Sequence, residues 1–149
     1  VNDVVKSCDL DLVQLCGQEA IPYWSSVDVN VIKQIKIDKD QDPSMVALKI
    51  QKQVFEIANN GQYAVLDSLK QGHLGGTGET FNWGIARQLS PKYNFFLAGG
   101  LSPDNVGEAI TTANPWGVDV SSGVETDGVK DKEKIISFIN QVRHIDCRL

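Results

Sequence analysis

Short apolar runs alternate with amphipathic segments along most of the chain. Each run predicts a strand; the runs lie within residues 11–16, 29–37, 62–68, 93–100 and 116–123. In the segments between them, apolar residues recur at the spacing of one helix face. Strands that alternate with helices are typical of a parallel sheet covered by helices, so the pattern predicts an α/β fold.

Capping residues mark the predicted starts of three helices. Ser44, Ser102 and Asp131 each precede an amphipathic segment and are the expected N-caps. Residues 59–61 and 114–115 carry Asn, Gly or Pro, and are expected to end the first two helices. The residues predicted to share the buried face of each helix are Val46, Ile50, Val54 and Ile57 in the first, Val106, Ala109, Ile110 and Ala113 in the second, and Ile135, Phe138, Ile139 and Val142 in the third.

Two architectures fit this alternation. One is a doubly wound open sheet, and the other is a (β/α)₈ barrel, also called a TIM barrel. A G-x-G-x-x-G sequence does not follow the first predicted strand, which lowers the case for a dinucleotide-binding sheet.

Composition narrows the classes of function. The chain has 149 residues, of which 42% are hydrophobic and 22% charged, as in a single globular domain with its own core. Its net charge of -5 argues against a nucleic-acid-binding surface, and its apolar runs are too short to predict a membrane span. The three cysteines have no metal-type spacing and indicate reduced thiols in a cytoplasmic protein.

Two neighbouring strand ends carry small residues that suit a phosphate. The fourth strand ends in Gly99 and Gly100, and the fifth passes into Ser121, Ser122 and Gly123. Glycines allow backbone amides to face a ligand, and a following helix adds partial positive charge. Two adjacent loops of this kind predict a phosphate cradle, which in (β/α)₈ barrels commonly follows the last two strands. The alternative is that the two glycines of the fourth strand only form a turn.

Two carboxylates lie close to the same strand ends. Asp67 follows an apolar strand at the mouth of the sheet, where burial would raise its pKa and suit it to general acid catalysis. The alternative is that Asp67 only caps or turns the loop at Ser68. Asp119 is predicted inside the last strand, either near a ligand or orienting loop residues.

A glycine-rich stretch, GGTGETFNW at residues 75–83, follows the third strand. It lacks the Gly-Lys-Ser/Thr of a phosphate-binding P-loop and is interpreted as a lid over the site or as a tight turn. His73, just before it, is expected to be solvated, and the charged run DGVKDKEK at residues 127–134 is expected to be a solvated helix start.

Four stretches, VQLCGQE, LDSLKQGHLGGTGETFNW, FLAGGLSPDNV and GVDVSSGVETDGVKD, together resemble phosphoribosylanthranilate isomerase, an enzyme of tryptophan biosynthesis. The resemblance implies a (β/α)₈ barrel and the Amadori rearrangement of N-(5-phosphoribosyl)anthranilate to 1-(o-carboxyphenylamino)-1-deoxyribulose 5-phosphate, without a cofactor or metal. It implies that Asp67 is the general acid that opens the ribose ring. It also implies that the loops at Gly99-Gly100 and Ser121-Ser122 bind the substrate phosphate.

The sequence departs from the family in its first part. The family's general base is a cysteine in a Lys-Ile/Val-Cys-Gly motif, and its anthranilate carboxylate is held by an arginine; neither has a counterpart here. Aligned by motif, residues 1–149 correspond to strands 4 to 8, so we expect the C-terminal part of one barrel domain, poorly folded and inactive alone. The missing N-terminal part or a fused tryptophan-pathway domain would then be its partner. Cys16, where the family usually has His, is expected to be a drifted position rather than a replacement base.

Two other functions stay open at this point. One is another phosphate-binding barrel enzyme, such as an indole-glycerol-phosphate synthase, which would need lysines at the strand ends; Lys70 is the only lysine predicted nearby. The other is a non-catalytic remnant that binds phosphate or a partner chain.

Overall fold

The computed structural model describes residues 1–38, 41–68 and 81–146. Its helices are α1 (Asn2–Cys8), α2 (Ile21–Trp24), α3 (Pro43–Asn59), α4 (Trp83–Arg87), α5 (Val106–Ala113) and α6 (Lys132–Asp146). Its strands are β1 (Leu12–Leu15), β2 (Asn30–Ile37), β3 (Tyr63–Ser68), β4 (Phe95–Leu97), β5 (Gly117–Val118), β6 (Glu125–Thr126) and β7 (Val129–Lys130). All five predicted strands are present, each shorter than or equal to its apolar run.

Strands β1 to β5 form one parallel sheet in which the spatial order is the order along the chain. Parallel crossovers are right-handed in nearly all proteins, so strands that keep chain order carry their connecting helices on one face. A doubly wound sheet reverses its strand order partway across. The observed order therefore contradicts the doubly wound alternative and agrees with the strand arrangement of a barrel.

The two faces of the sheet have different compositions. Along β2, Val31, Lys33, Ile35 and Ile37 are buried, whereas Gln34 is half-buried and Lys36 exposed. In the parallel register Gln34 lies opposite Val65 and Lys36 opposite Asp67, so these polar side chains share a face with the candidate acid.

Helices α3 and α5 complete the core as predicted. Val46, Ile50, Val54 and Ile57 of α3 are buried, and so are the four predicted residues of α5. The prediction for α6 was partly wrong, because Phe138 is buried but Ile139 is 42% exposed. The apolar residues of α6 that pack on the core are Ile135, Phe138, Val142 and Ile145, and Ile139 lies beside that stripe.

Two helices begin at caps other than the predicted ones. Asp42, not Ser44, is the N-cap of α3: its Oδ1 accepts hydrogen bonds from the backbone amides of Ser44 (2.9 Å) and Met45 (3.1 Å). Asp42 is the better cap because Pro43 then occupies the first helical position, where no amide hydrogen is needed.

The start of α5 is displaced in the other direction, toward the C-terminus, and has no side-chain cap. Asn105, not Ser102, precedes the helix. Its side chain accepts from the Ser102 amide at 2.8 Å and donates to the Gly100 carbonyl at 2.9 Å. The loop after β4 is therefore closed on itself before α5 begins. The third predicted cap is confirmed, since Asp131 Oδ1 accepts from the Glu133 amide at 2.9 Å.

Within the described ranges, no helix combines the length and the apolar character that crossing a membrane would require.

Candidate active site

A cavity of about 390 Å³ opens at the carboxyl ends of strands β2 to β5. It is lined by every residue that the sequence predicted for the site: Asp67, Gly99, Gly100, Asp119, Ser121, Ser122 and Gly123. Gln34, Lys36, Ser68 and Leu101 also line it. The sheet thus brings residues from four chain segments to one place, as expected where the ends of parallel strands meet.

The double glycine after β4 has two geometric causes. Gly99 and Gly100 have φ angles of 82° and 68°, in the left-handed region that favours glycine. A Cβ on Gly99 would also lie 2.7 Å from Oδ1 of Asp67 and closer still to the backbone nitrogen of Ser68. The missing side chain lets the end of β4 lie directly against the end of β3, so this is more than a tight turn.

The loop after β5 packs against the loop after β4. Ser122–Val124 form one turn of 3-10 helix. A Cβ on Gly123 would overlap the carbonyl oxygen of Leu101. The two small-residue loops are therefore in direct contact and line one concave surface.

Asp67 is half-buried and is held from β2. Gln34 Nε2 donates a hydrogen bond of 2.6 Å to Asp67 Oδ2. The sequence analysis missed Gln34, although alternation along VIKQIKI puts residues 34 and 36 on the same strand face. Lys36 adds a cation to the cavity lining, so the expectation that Lys70 is the only nearby lysine was wrong. Lys70 itself lies outside the described residues, as do His73 and residues 75–80 of the glycine-rich stretch.

Asp119 lies one residue beyond the last strand rather than inside it, because β5 ends at Val118. Its backbone amide donates to the Leu97 carbonyl at 2.8 Å, which continues the alignment with β4. This bond fixes the direction in which the chain enters the Ser121 loop.

A hairpin supports that loop from outside the cavity. Strands β6 and β7 pair antiparallel around Asp127 and Gly128, with φ angles of 52° and 78°. The expectation of a solvated helix start at residues 127–134 was therefore wrong for its first half. The Asp-Gly pair is a strong hairpin signal and could have predicted the turn.

Lys130 connects the hairpin to the loop. Its Nζ donates to the carbonyl oxygen of Ser121 at 2.9 Å and to Oγ of Ser121 at 3.3 Å. It also pairs with Glu125 Oε1 at 2.6 Å. The lysine therefore fixes the backbone and the side chain of a cavity residue at the same time.

Cys16 is not part of this cavity. It is an exposed free thiol that lines a second cavity of about 590 Å³ together with Glu19 and Lys33. Lys33 is buried and donates to the Gly17 carbonyl at 2.6 Å and to Glu19 Oε2 at 2.8 Å. The hydrogen bond from Lys33 lowers the pKa of the Glu19 carboxyl below its ordinary 4.5. This group orders the segment after β1 and is separate from Asp67.

Comparison with known proteins identifies a family. Residues 1–141 match the family model described as N-(5′-phosphoribosyl)anthranilate isomerase. The curated N-(5′-phosphoribosyl)anthranilate isomerase of Dehalococcoides mccartyi is 40% identical over 146 residues, which cover 98% of this chain and 66% of that protein. The chain thus spans just under two thirds of the length of this relative.

Two solved structures have the same fold over most of the chain. Phosphoribosyl anthranilate isomerase from Thermotoga maritima superposes with a TM-score of 0.77 at 31% identity, over 95% of this chain and 66% of that one. Phosphoribosyl anthranilate isomerase in complex with reduced 1-(o-carboxyphenylamino)-1-deoxyribulose 5-phosphate gives a TM-score of 0.73 at 27% identity, over 95% of this chain and 64% of that one.

Proposed function

We propose that this chain, which belongs to the N-(5′-phosphoribosyl)anthranilate isomerase family, acts in the isomerisation of N-(5-phosphoribosyl)anthranilate to 1-(o-carboxyphenylamino)-1-deoxyribulose 5-phosphate in tryptophan biosynthesis. The observation that carries the proposal is the juxtaposition, in one cavity, of a half-buried carboxyl and two interlocked small-residue loops. A sugar phosphate needs both kinds of group, one to hold its phosphate and the other to act on its ring.

In this proposal the phosphate lies on the loops that contain Gly99-Gly100 and Ser121–Gly123. Small residues there permit close approach of an anion to backbone amides, and the serine hydroxyls supply further donors. Lys36 adds positive charge on the opposite side of the same cavity. The contact between Gly123 and Leu101 supports a pre-formed cradle, since the backbones of the two loops pack directly against each other.

Asp67 is the proposed general acid, which protonates the ring oxygen of the ribose as the ring opens. Its position at the end of β3, half-buried and facing the cavity, supports this role. Asp119, across the same cavity, is proposed to accept hydrogen bonds from the sugar hydroxyls. The proposal assigns no general base to the described residues, because Cys16 lines a different cavity.

We further propose that the five-stranded sheet is an arc of a (β/α)₈ barrel and that residues 1–149 form the C-terminal part of a single barrel domain. Sequential parallel strands and the superposition on isomerase structures support this assignment. The exposed thiols of Cys8 and Cys16 support a cytoplasmic location.

The test is steady-state turnover of phosphoribosylanthranilate by the native gene product and by its Asp67→Asn variant. The amide is nearly isosteric but is no acid, so kcat should fall by about 10² or more while the affinity for inorganic phosphate stays unchanged. Asp104→Asn, a change outside the cavity on the turn before α5, is the matched control and should keep wild-type turnover. Wild-type turnover by Asp67→Asn would remove Asp67 from the acid role, and an unsubstituted protein without turnover would contradict the proposed function.

A further inference from the structure

Among the described residues, the side chain of Gln34 forms a hydrogen bond only with Asp67, the proposed acid. Its Nε2 lies 2.6 Å from Oδ2 of Asp67, and it reaches the carboxyl from the neighbouring strand rather than from the loops that line the cradle. Gln34 itself is half-buried and faces the same cavity.

The carboxyl of Asp67 is oriented between two neighbours. Oδ2 points toward Gln34 on β2, whereas Oδ1 lies over Gly99 at the end of β4, 2.7 Å from the place of a Cβ there. Rotation of the carboxyl about its own axis would exchange the two oxygens, and the hydrogen bond from Gln34 distinguishes one from the other. Gln34 therefore favours the orientation in which Oδ1 faces the glycine cradle.

The other end of the amide is unusual. Gln34 Oε1 is fully buried and has no hydrogen-bond partner among the residues that the structure describes. A buried acceptor without a partner is costly, and a group that carries such a cost calls for an explanation such as a catalytic role. A half-turn of the amide would let Oε1 accept the only O–H of protonated Asp67 and would take that proton away from the substrate, whereas the observed orientation, with Nε2 on Oδ2, leaves the proton to Oδ1.

We propose that Gln34 is a positioning residue for the acid step: its Nε2 donates to Oδ2 of Asp67 in both the carboxylate and the acid form, so the proton of the acid form lies on Oδ1 and faces the ring oxygen of the substrate. This inference rests on the acid role proposed for Asp67. A glutamine suits the task because its amide nitrogen donates whichever form Asp67 takes and the side chain stays neutral.

The charged groups around the carboxyl come from strands on either side of β3. Lys36 lies opposite Asp67 in the β2–β3 register, and Asp119 lines the cavity after β5. The cavity thus holds one cation, Lys36, and two carboxyl groups, Asp67 and Asp119. A neutral side chain at position 34 leaves this charge unchanged, whereas a glutamate there would add a third carboxyl group.

The experiment compares Gln34→Met and Gln34→Glu with the matched control Gln53→Met in the native gene product. Gln53 also has a buried amide oxygen without a partner among the described residues, but it lies on α3 and lines the second cavity. Gln34→Met should lower kcat about tenfold or more and leave KM within about twofold, because the acid is misaligned while the cradle is untouched. Gln53→Met should change neither parameter, and thermal melting monitors folding of all three variants.

Gln34→Glu tests the pH profile of kcat, which would not shift if Gln34 had a purely structural role. Two adjacent carboxyls share a proton, so the acid form persists to higher pH. The alkaline limb of the kcat profile should therefore move to higher pH, even if Gln34→Met melts early. Unchanged kcat in Gln34→Met together with an unmoved limb in Gln34→Glu would overturn the inference while leaving Asp67 as the acid. An inactive unsubstituted protein would overturn the proposed function, and this inference with it.

Discussion

Gly123 lies so close to the carbonyl oxygen of Leu101 that a side chain at position 123 would overlap it. This contact joins the loop after β5 to the loop after β4 through backbone alone. The two loops therefore act as one surface, and the small residues in them are required by packing as well as by any ligand.

Replacing Gly123 tests that relationship. Gly123→Ala should displace one loop from the other, at a cost of about 1–3 kcal/mol in the free energy of unfolding, and weaken phosphate binding at least tenfold. The matched control is Gly107→Ala on α5, where a Cβ would meet the side chain of Ile145 at an ordinary 3.9 Å. Because alanine favours a helix, the control should be neutral or stabilising. Chemical denaturation and phosphate titration measure both effects, and equal behaviour of the two variants would contradict the packing role of Gly123.

Lys130 is expected to act on the cradle from outside. Lys130→Met removes three hydrogen bonds, two of them to Ser121, and should weaken phosphate affinity several-fold because the loop loses its support. Stability should change by no more than about 1 kcal/mol, since the lysine is half exposed. Lys132→Met, on the first turn of α6, removes the same charge without these contacts. Isothermal titration with phosphate distinguishes the two, and a similar loss in both would indicate a general charge effect instead.

Glu19 is expected to make the free energy of unfolding depend on pH in the acid range. Its pKa is lowered from 4.5, chiefly by the hydrogen bond from Lys33, so the folded state favours its charged form. The stabilisation is therefore complete above the unfolded value near 4.5 and is lost as the pH falls through the lower folded pKa. Glu19→Gln should be less stable than the unsubstituted protein at pH 7, and the difference should shrink at acid pH.

The measurement for Glu19 is denaturant unfolding at several pH values between about 2.5 and 7, a range that brackets the ordinary pKa of a carboxyl group. Glu108→Gln, at an exposed position of α5, provides the comparison for loss of a carboxylate elsewhere. A constant difference between Glu19→Gln and the unsubstituted protein at all pH values would contradict the role of this carboxyl.

The sequence predicted the features that follow from the periodicity of apolar residues, and it missed the contacts between residues that are far apart along the chain. Apolar runs located all five strands, and helical spacing identified the buried faces of α3 and α5. Because function gathers at the carboxyl ends of parallel strands, the sequence also predicted that Asp67 and the two loops lie together. Local competition decided the caps: Asp42 outcompetes Ser44 because Pro43 follows it, and Asn105 bonds back to Gly100 instead of leaving Ser102 to start the helix.

Contacts between distant parts of the chain had no local signal. Gln34 contacts Asp67 from the neighbouring strand, 33 residues away along the chain, and Lys130 reaches back to Ser121 over a hairpin. The alternation along β2 would have placed Gln34 on the correct face, but only the register shows which residue lies beside it. Ile139 was misassigned because α6 packs along a stripe that leaves it exposed.

The most direct test of the central claim is a crystal structure of the native gene product with reduced 1-(o-carboxyphenylamino)-1-deoxyribulose 5-phosphate, the ligand named for one of the similar structures. We expect the phosphate on the loops of Gly99-Gly100 and Ser121–Gly123, with the carboxyl of Asp67 within hydrogen-bond distance of the reduced sugar chain. A phosphate bound elsewhere, or a sugar out of reach of Asp67, would contradict the proposed active site.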